Sequence, residues 1–198
     1  MKDTNSKSGK AQRKNWLPYL IRGVLGIIIA ANLIQYVLTP TKGPNLPIYM
    51  GLFFLFNGIL SFREARAEPI RSNVLIFAAL TSLIGGLALV IIYPFSPYRQ
   101  FLIGTDLGRY SFGAIVIIIG LLQLGGAVHI TPEPVVKHAH IIFGFLEVIL
   151  GISVIISGAD SVALTIAFVW VTLVAVYMFY VAYRLRSMLI SSSESSHV

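Results

Sequence analysis

The residue best placed to do chemistry in this chain is a carboxylate in the middle of an apolar run. In the segment HAHIIFGFLEVILG, residues 138–151, Glu147 is flanked on both sides by aliphatic and aromatic residues. Helical spacing puts His140, Gly144, Glu147 and Gly151 on one stripe, at steps of four, three and four. A charge at membrane depth costs about 2.5–3.5 kcal/mol on insertion scales, so Glu147 is expected to face protein or water rather than lipid. Two roles fit such a group. It can be a protonatable residue in a proton path or binding site, or a packing carboxyl hydrogen-bonded to another helix. His140 titrates near neutrality but lies two turns away along the helix, so a water or a second helix must connect the two.

Other polar residues are weaker candidates. Asn57 and Gln123 sit inside apolar segments, as does Asn32, and interhelical hydrogen bonds worth roughly 0.6 kcal/mol each are their simplest use. Arg22 stands five residues into the first apolar stretch and is expected to snorkel to the headgroups. Arg63 and Glu64 read as boundary residues of the second helix. Asp106 and Arg109, three apart, suit a cap or a local ion pair. His129, His138 and His140, with Glu133, raise the question of a metal. The H-x-H pair diverges at a helix start and no tetrahedral set is specified, so no metal is assigned. Cysteine is absent, which excludes disulfides, thiolate sites and a cysteine nucleophile. No G-x-x-x-x-G-K-[ST], H-E-x-x-H or G-x-S-x-G motif occurs, and GTDLG (104–108) is too short to cradle phosphate. An enzyme and a cofactor are therefore not expected.

The elements that must position these residues are membrane helices. The chain of 198 residues is 56% hydrophobic and only 12% charged, with a mean hydropathy of +0.81, against about a quarter charged in soluble domains. Six apolar segments, near 17–39, 47–65, 73–93, 110–130, 139–158 and 162–183, approach the roughly 20 residues that cross a hydrocarbon core. The second is the weakest, with an uncharged run of 17 residues that Arg63 and Arg66 can lengthen by snorkelling. Prolines 18, 40, 47, 94 and 97 fall at segment ends, and Trp16, Tyr19, Tyr93, Tyr98, Tyr110 and Tyr183 suit an interfacial belt. Lys and Arg divide 12 to 3 between the two sides, which predicts a multi-pass protein of the cell (inner) membrane with both termini cytoplasmic. Residues 1–15 read as a disordered basic tail, 16–188 as the six-helix membrane domain and 189–198 as a second disordered tail whose serines are simply solvated. The basic residues flank apolar segments instead of forming a soluble face, so the partner they indicate is the lipid bilayer and not nucleic acid.

The expected fold is an all-α six-helix transmembrane bundle made of three parallel two-helix repeats, near 17–66, 74–129 and 139–186. Gly51 and Gly58 recur as Gly113 and Gly120 at a single offset of 62 residues, and each first helix carries a glycine, Gly26, Gly86 or Gly151. Gly51/Gly58, Gly113/Gly120 and Gly144/Gly151 are each seven apart, hence on one face, and Gly26 with Ala30 forms a small-xxx-small pair. Such faces let helix backbones pack closely in lipid, or make an interface with a second copy or a membrane-protein partner. Two crossings per repeat make the repeats parallel, unlike the inverted repeats of many transporters.

The segments LIRGVLGIIIA…TP…YMGLFFLFNGILSFREA resemble the repeat of the HdeD-like acid-resistance membrane proteins, and FAALTSLIGGLALVIIYP…FGAIVIIIGLLQLGGA fits next best. The likeness covers about residues 17–186. The third pair departs from it, since FVWVTLVAVYMFYVAYRLR has no glycine. The resemblance implies a six-helix inner-membrane protein linked to survival of acid stress, and it supplies no molecular activity. The leading expectation is a non-enzymatic membrane protein with a role in acid or envelope stress and Glu147 as its protonatable group. A small proton- or solute-conducting transporter or channel, and a structural or assembly subunit of a membrane complex, are the alternatives.

Overall fold

The computed structural model describes residues 16–38, 46–66, 72–92, 106–128, 134–157 and 160–194. They form six α-helices: α1 Trp16–Leu38, α2 Leu46–Arg66, α3 Asn73–Ile92, α4 Asp106–Ala127, α5 Pro134–Ile156 and α6 Asp160–Glu194. No strand occurs among the described residues. Five of the helices are long and apolar enough to cross a membrane. The exception is α2, whose charged end lowers its hydropathy, as its short uncharged run led one to expect.

Local sequence explains the boundaries. Pro134 opens α5, where a missing N–H is no loss and φ is already helical. The helix therefore begins five residues before the apolar run at 139 and carries His138 and His140 within its first two turns. Ser72 precedes α3 and its hydroxyl accepts the Leu75 amide at 3.4 Å, an N-cap contact. The proposed tail at 189–198 requires correction, because α6 continues through Glu194. Ser187 and Ser191 bond back to Arg184 and Met188 within the helix, which lets these serines extend it. The tail at 1–15 and the prolines at 40, 94 and 97 lie outside the described residues, as do Tyr93 and Tyr98.

Successive helices run antiparallel, and every extensive contact joins chain neighbours or closes α6 onto α1, so the six form a ring. Contacts alternate between intimate and loose. The intimate pairs are α2–α3, α4–α5 and α6–α1. They fall between the sequence pairs, because the small-residue faces match there. A Cβ added to Gly86 would lie 2.6 Å from the Gly51 carbonyl oxygen, and one on Gly151 would lie 2.6 Å from that of Gly113. In the same way Gly144 meets the Gly120 carbonyl at 2.7 Å, and Gly26 meets the Ala175 Cβ at 2.8 Å. Gly51, Gly58, Gly113, Gly120, Gly144 and Gly151 each lie against the backbone or side chains of a ring neighbour. The α6 partner lacks glycine, yet Gly51, Gly113 and Ala175 follow one another at intervals of 62 residues. Alanine takes the third position.

Inside the ring a nearly continuous apolar core runs from Leu33 and Met50 through Ile119 and Leu150 to Val181. Its middle is aromatic. The Trp170 ring lies 5.1 Å from Phe53, 6.1 Å from Phe143 and 6.2 Å from Phe54, centroid to centroid. Large aliphatic side chains such as Ile28, Ile84, Leu121 and Val176 face outward.

Candidate functional site

The polar groups collect inside the ring on the side where α1 begins and α6 ends, termed the proximal end. Arg22 on α1 is 3% exposed and reaches across to α2. Its Nε donates to Asn57 Oδ1 at 3.0 Å, one terminal nitrogen to Ser61 Oγ at 2.9 Å, and the other to Glu64 Oε2 at 3.0 Å. The hydroxyl of Tyr19, one turn earlier on α1, donates to Glu64 Oε1. Helical side chains lean toward their own N-terminus, which aims Arg22 toward the proximal end and down the stripe formed by Asn57, Ser61 and Glu64.

Three expectations change as a result. Arg22 does not snorkel outward; the three acceptors on α2 hold it in the interior. Glu64 is not a boundary residue, since its side chain is only 9% exposed and bears the ion pair. Tyr19 is no interfacial belt residue, being 1% exposed and bonded to that same carboxylate. The signal that finds this network is the spacing 57, 61, 64, the same four-then-three step that marks the α5 stripe. Asn32 also departs from expectation, donating at 2.7 Å to the Ile28 carbonyl of its own helix.

The α5 stripe turns wholly inward, with His140, Gly144, Glu147 and Gly151 all buried. His140 and Gln123, two of the expected site residues, are brought together: Nδ1 lies 3.0 Å from Gln123 Oε1. An amide oxygen only accepts, so Nδ1 carries the proton and Nε2 is left with its lone pair when the ring is neutral. That Nε2 stands 3.9 Å from Glu64 Oε1, which links α5 to the α1–α2 network. His138, two positions earlier, is exposed, and His129 and Glu133 lie outside the described residues. Arg109 at the opposite end donates at 3.1 Å to the Ser157 carbonyl at the close of α5, while the Asp106 side chain is outside the described set.

Glu147 stands apart from this network. It is 0% exposed, and neither carboxylate oxygen has a hydrogen-bond partner. Two turns separate it from His140, about 10.5 Å of helix rise. Phe143 lies one turn before it on the same face of α5 and packs on Trp170 and Phe53. Arg22, Ser82 and Glu147 each stand four residues before the closely packed glycine of their helix, Gly26, Gly86 and Gly151. Ser82 satisfies itself on the Phe54 carbonyl at 2.9 Å. Among the described residues, Asn57 Nδ2, His140 Nε2 and Trp170 Nε1 are further buried atoms that make no hydrogen bond.

Set against known proteins, the chain stands by itself. It matches no protein-family model, and no curated protein or solved structure is significantly similar to it. The site must be argued from its own chemistry.

Proposed function

We propose that the chain is a multi-pass protein of the cell (inner) membrane, with both termini cytoplasmic, built on three parallel two-helix repeats of the HdeD-like type. In this reading it is non-enzymatic and serves acid or envelope stress, with Glu147 as a protonatable group inside the bundle. Support for the repeats comes from the equivalent close contacts of Gly51 with Gly86, Gly113 with Gly151 and Ala175 with Gly26. The 12 to 3 division of basic residues supports the orientation.

The observation that carries the protonatable role is the complete burial of Glu147 with both oxygens unpaired. A packing carboxyl ordinarily bonds to another helix; this one does not. Infrared difference spectra between acid and alkaline buffer are the direct test. A carboxylic carbonyl band that appears on acidification and vanishes in Glu147→Gln supports the reading, and an identical spectrum from the variant rejects it.

A second reading, a small proton- or solute-conducting transporter, is favoured by the unpaired Asn57 Nδ2 and His140 Nε2 between Glu147 and the proximal end. Protein reconstituted in liposomes with an internal pH-sensitive dye is then expected to show a flux reduced by Glu147→Gln. Liposomes with no flux of protons or of any tested solute would exclude it.

A further inference from the structure

Among the described residues the interior holds two carboxylates, Glu64 and Glu147, against one guanidinium, Arg22. Arg22 is committed to Glu64 through a 3.0 Å ion pair, and His140 adds a positive charge only when protonated. With both acids ionised the buried site is one positive charge short, and in a poorly polarisable interior such an imbalance costs several kcal/mol per ion. A proton on Glu147 removes the deficit. So does a bound cation.

The surroundings say what kind of cation fits. A metal ion takes six or more oxygen ligands in most calcium and magnesium sites. Glu147 offers only two oxygens. Phe143 is one turn away, and Trp170 gathers Phe53, Phe54 and Phe143 around it at centroid distances of 5.1 to 6.2 Å. Aromatic faces attract organic cations that shed water readily, most strongly where water is excluded. A buried, unpaired carboxylate beside such rings is a complete recognition set for one positive charge on an organic frame.

We propose that Glu147 and the Trp170 aromatic layer form a site for a monovalent organic cation, an ammonium or phosphonium, that exchanges with the proton of Glu147. The balance is one for one. The carboxylic O–H of Glu147 gives its proton to solvent, and the carboxylate then pairs with the incoming cation. Among the described residues, the other buried charged and titratable groups of this interior are Arg22 from α1, Glu64 from α2 and His140 from Glu147's own helix. Among the described residues α3, α4 and α6 contribute Ser82, Gln123 and Trp170 to this interior, none of which titrates near neutrality. This proposal rests on the protonatable role of Glu147 given above.

The test uses tetramethylammonium and tetraphenylphosphonium chloride, which carry a permanent charge and no acidic proton. Calorimetry on the detergent-purified full chain in weak buffer, with a pH dye, is expected to show saturable binding of at least one probe. About one proton should leave per cation bound, and the apparent affinity should fall about tenfold per pH unit in the range where Glu147 is protonated. Glu147→Gln, close in shape, is expected to weaken binding by 100-fold or more while keeping the elution profile of the folded protein. Trp170→Phe keeps a ring and should weaken it less. Saturable binding without proton release, or binding equal in Glu147→Gln, overturns the proposal. So does failure of both probes to bind wild-type protein. A Glu147-dependent infrared band from protein that binds neither probe leaves the protonatable role standing and removes the cation site alone.

Discussion

At the scale of single residues, the interior separates a paired charge from an unpaired one, and the two should respond differently to mutation. Arg22 is held by Asn57, Ser61 and Glu64, so Arg22→Ala leaves a buried carboxylate without its cation. A loss of about 3–5 kcal/mol is expected, read as a lower midpoint of thermal unfolding in detergent. Replacing both partners, as in Arg22→Met with Glu64→Met, should restore much of that loss, because two apolar groups leave no orphan. Glu147 makes no hydrogen bond, so Glu147→Gln removes none, and the midpoint should stay within a degree or two or rise. A fall as large as that of Arg22→Ala would show that Glu147 has a structural partner after all. The burial of Glu147 was legible in the sequence because a lone acid in an apolar helix has nowhere else to go. The capture of Glu64 was not, since an acid beside Arg63 at a helix end is explained equally well by solvent. Only the positions 57, 61 and 64, taken together with Tyr19 and Arg22 on another helix, distinguish the two, and the choice of partner helix is a tertiary fact.

At the scale of helices, neighbouring glycines do different work. Gly86 approaches the α2 backbone, and a Cβ there would stand 2.4 Å from the Leu55 amide nitrogen. Gly85, one residue away, meets nothing nearer than Ile115 Cγ2 at 3.7 Å. Gly86→Ala is therefore expected to cost about 1–3 kcal/mol by forcing α2 and α3 apart. Gly85→Ala should be neutral, or stabilising by up to about 1 kcal/mol through helix propensity. Parallel unfolding curves of the two variants check this, and equal effects would mean the helices are free to separate. That glycines would mark contact faces was readable from their seven-residue spacing. Which faces meet was not. The side of α1 that meets α2 carries Tyr19 and Arg22, and its glycine face is kept for α6.

At the scale of the whole molecule, closure of the ring is the claim most open to direct measurement. The Arg186 guanidinium lies over the Trp16 ring at 5.7 Å, which ties the last helix to the first at the proximal end. Because the chain has no cysteine, Trp16→Cys with Arg186→Cys gives a clean background for a short bismaleimide. An intramolecular cross-link that shifts the band on a denaturing gel is expected. No cross-link, or one that forms only between two chains, would open the ring. Six helices and their approximate ends followed from hydropathy alone. Ring order did not, because apolar segments of similar composition carry no label for their neighbours in space.

The seal between α6 and α1 also constrains the order in which the protein can be made. Synthesis delivers α1 first and α6 last. Arg22 can find Asn57, Ser61 and Glu64 as soon as α2 arrives, so the buried charge is covered early. The face bearing Gly23 and Gly26 has no such early partner, because Phe179 and Ala175 lie on α6, which follows the other five helices in the chain. Until then the nascent bundle presents an open seam of small residues. A chain truncated before α6 should therefore join other copies through that seam or be taken by the quality-control proteases of its membrane, while a chain that includes α6 closes the seam on itself.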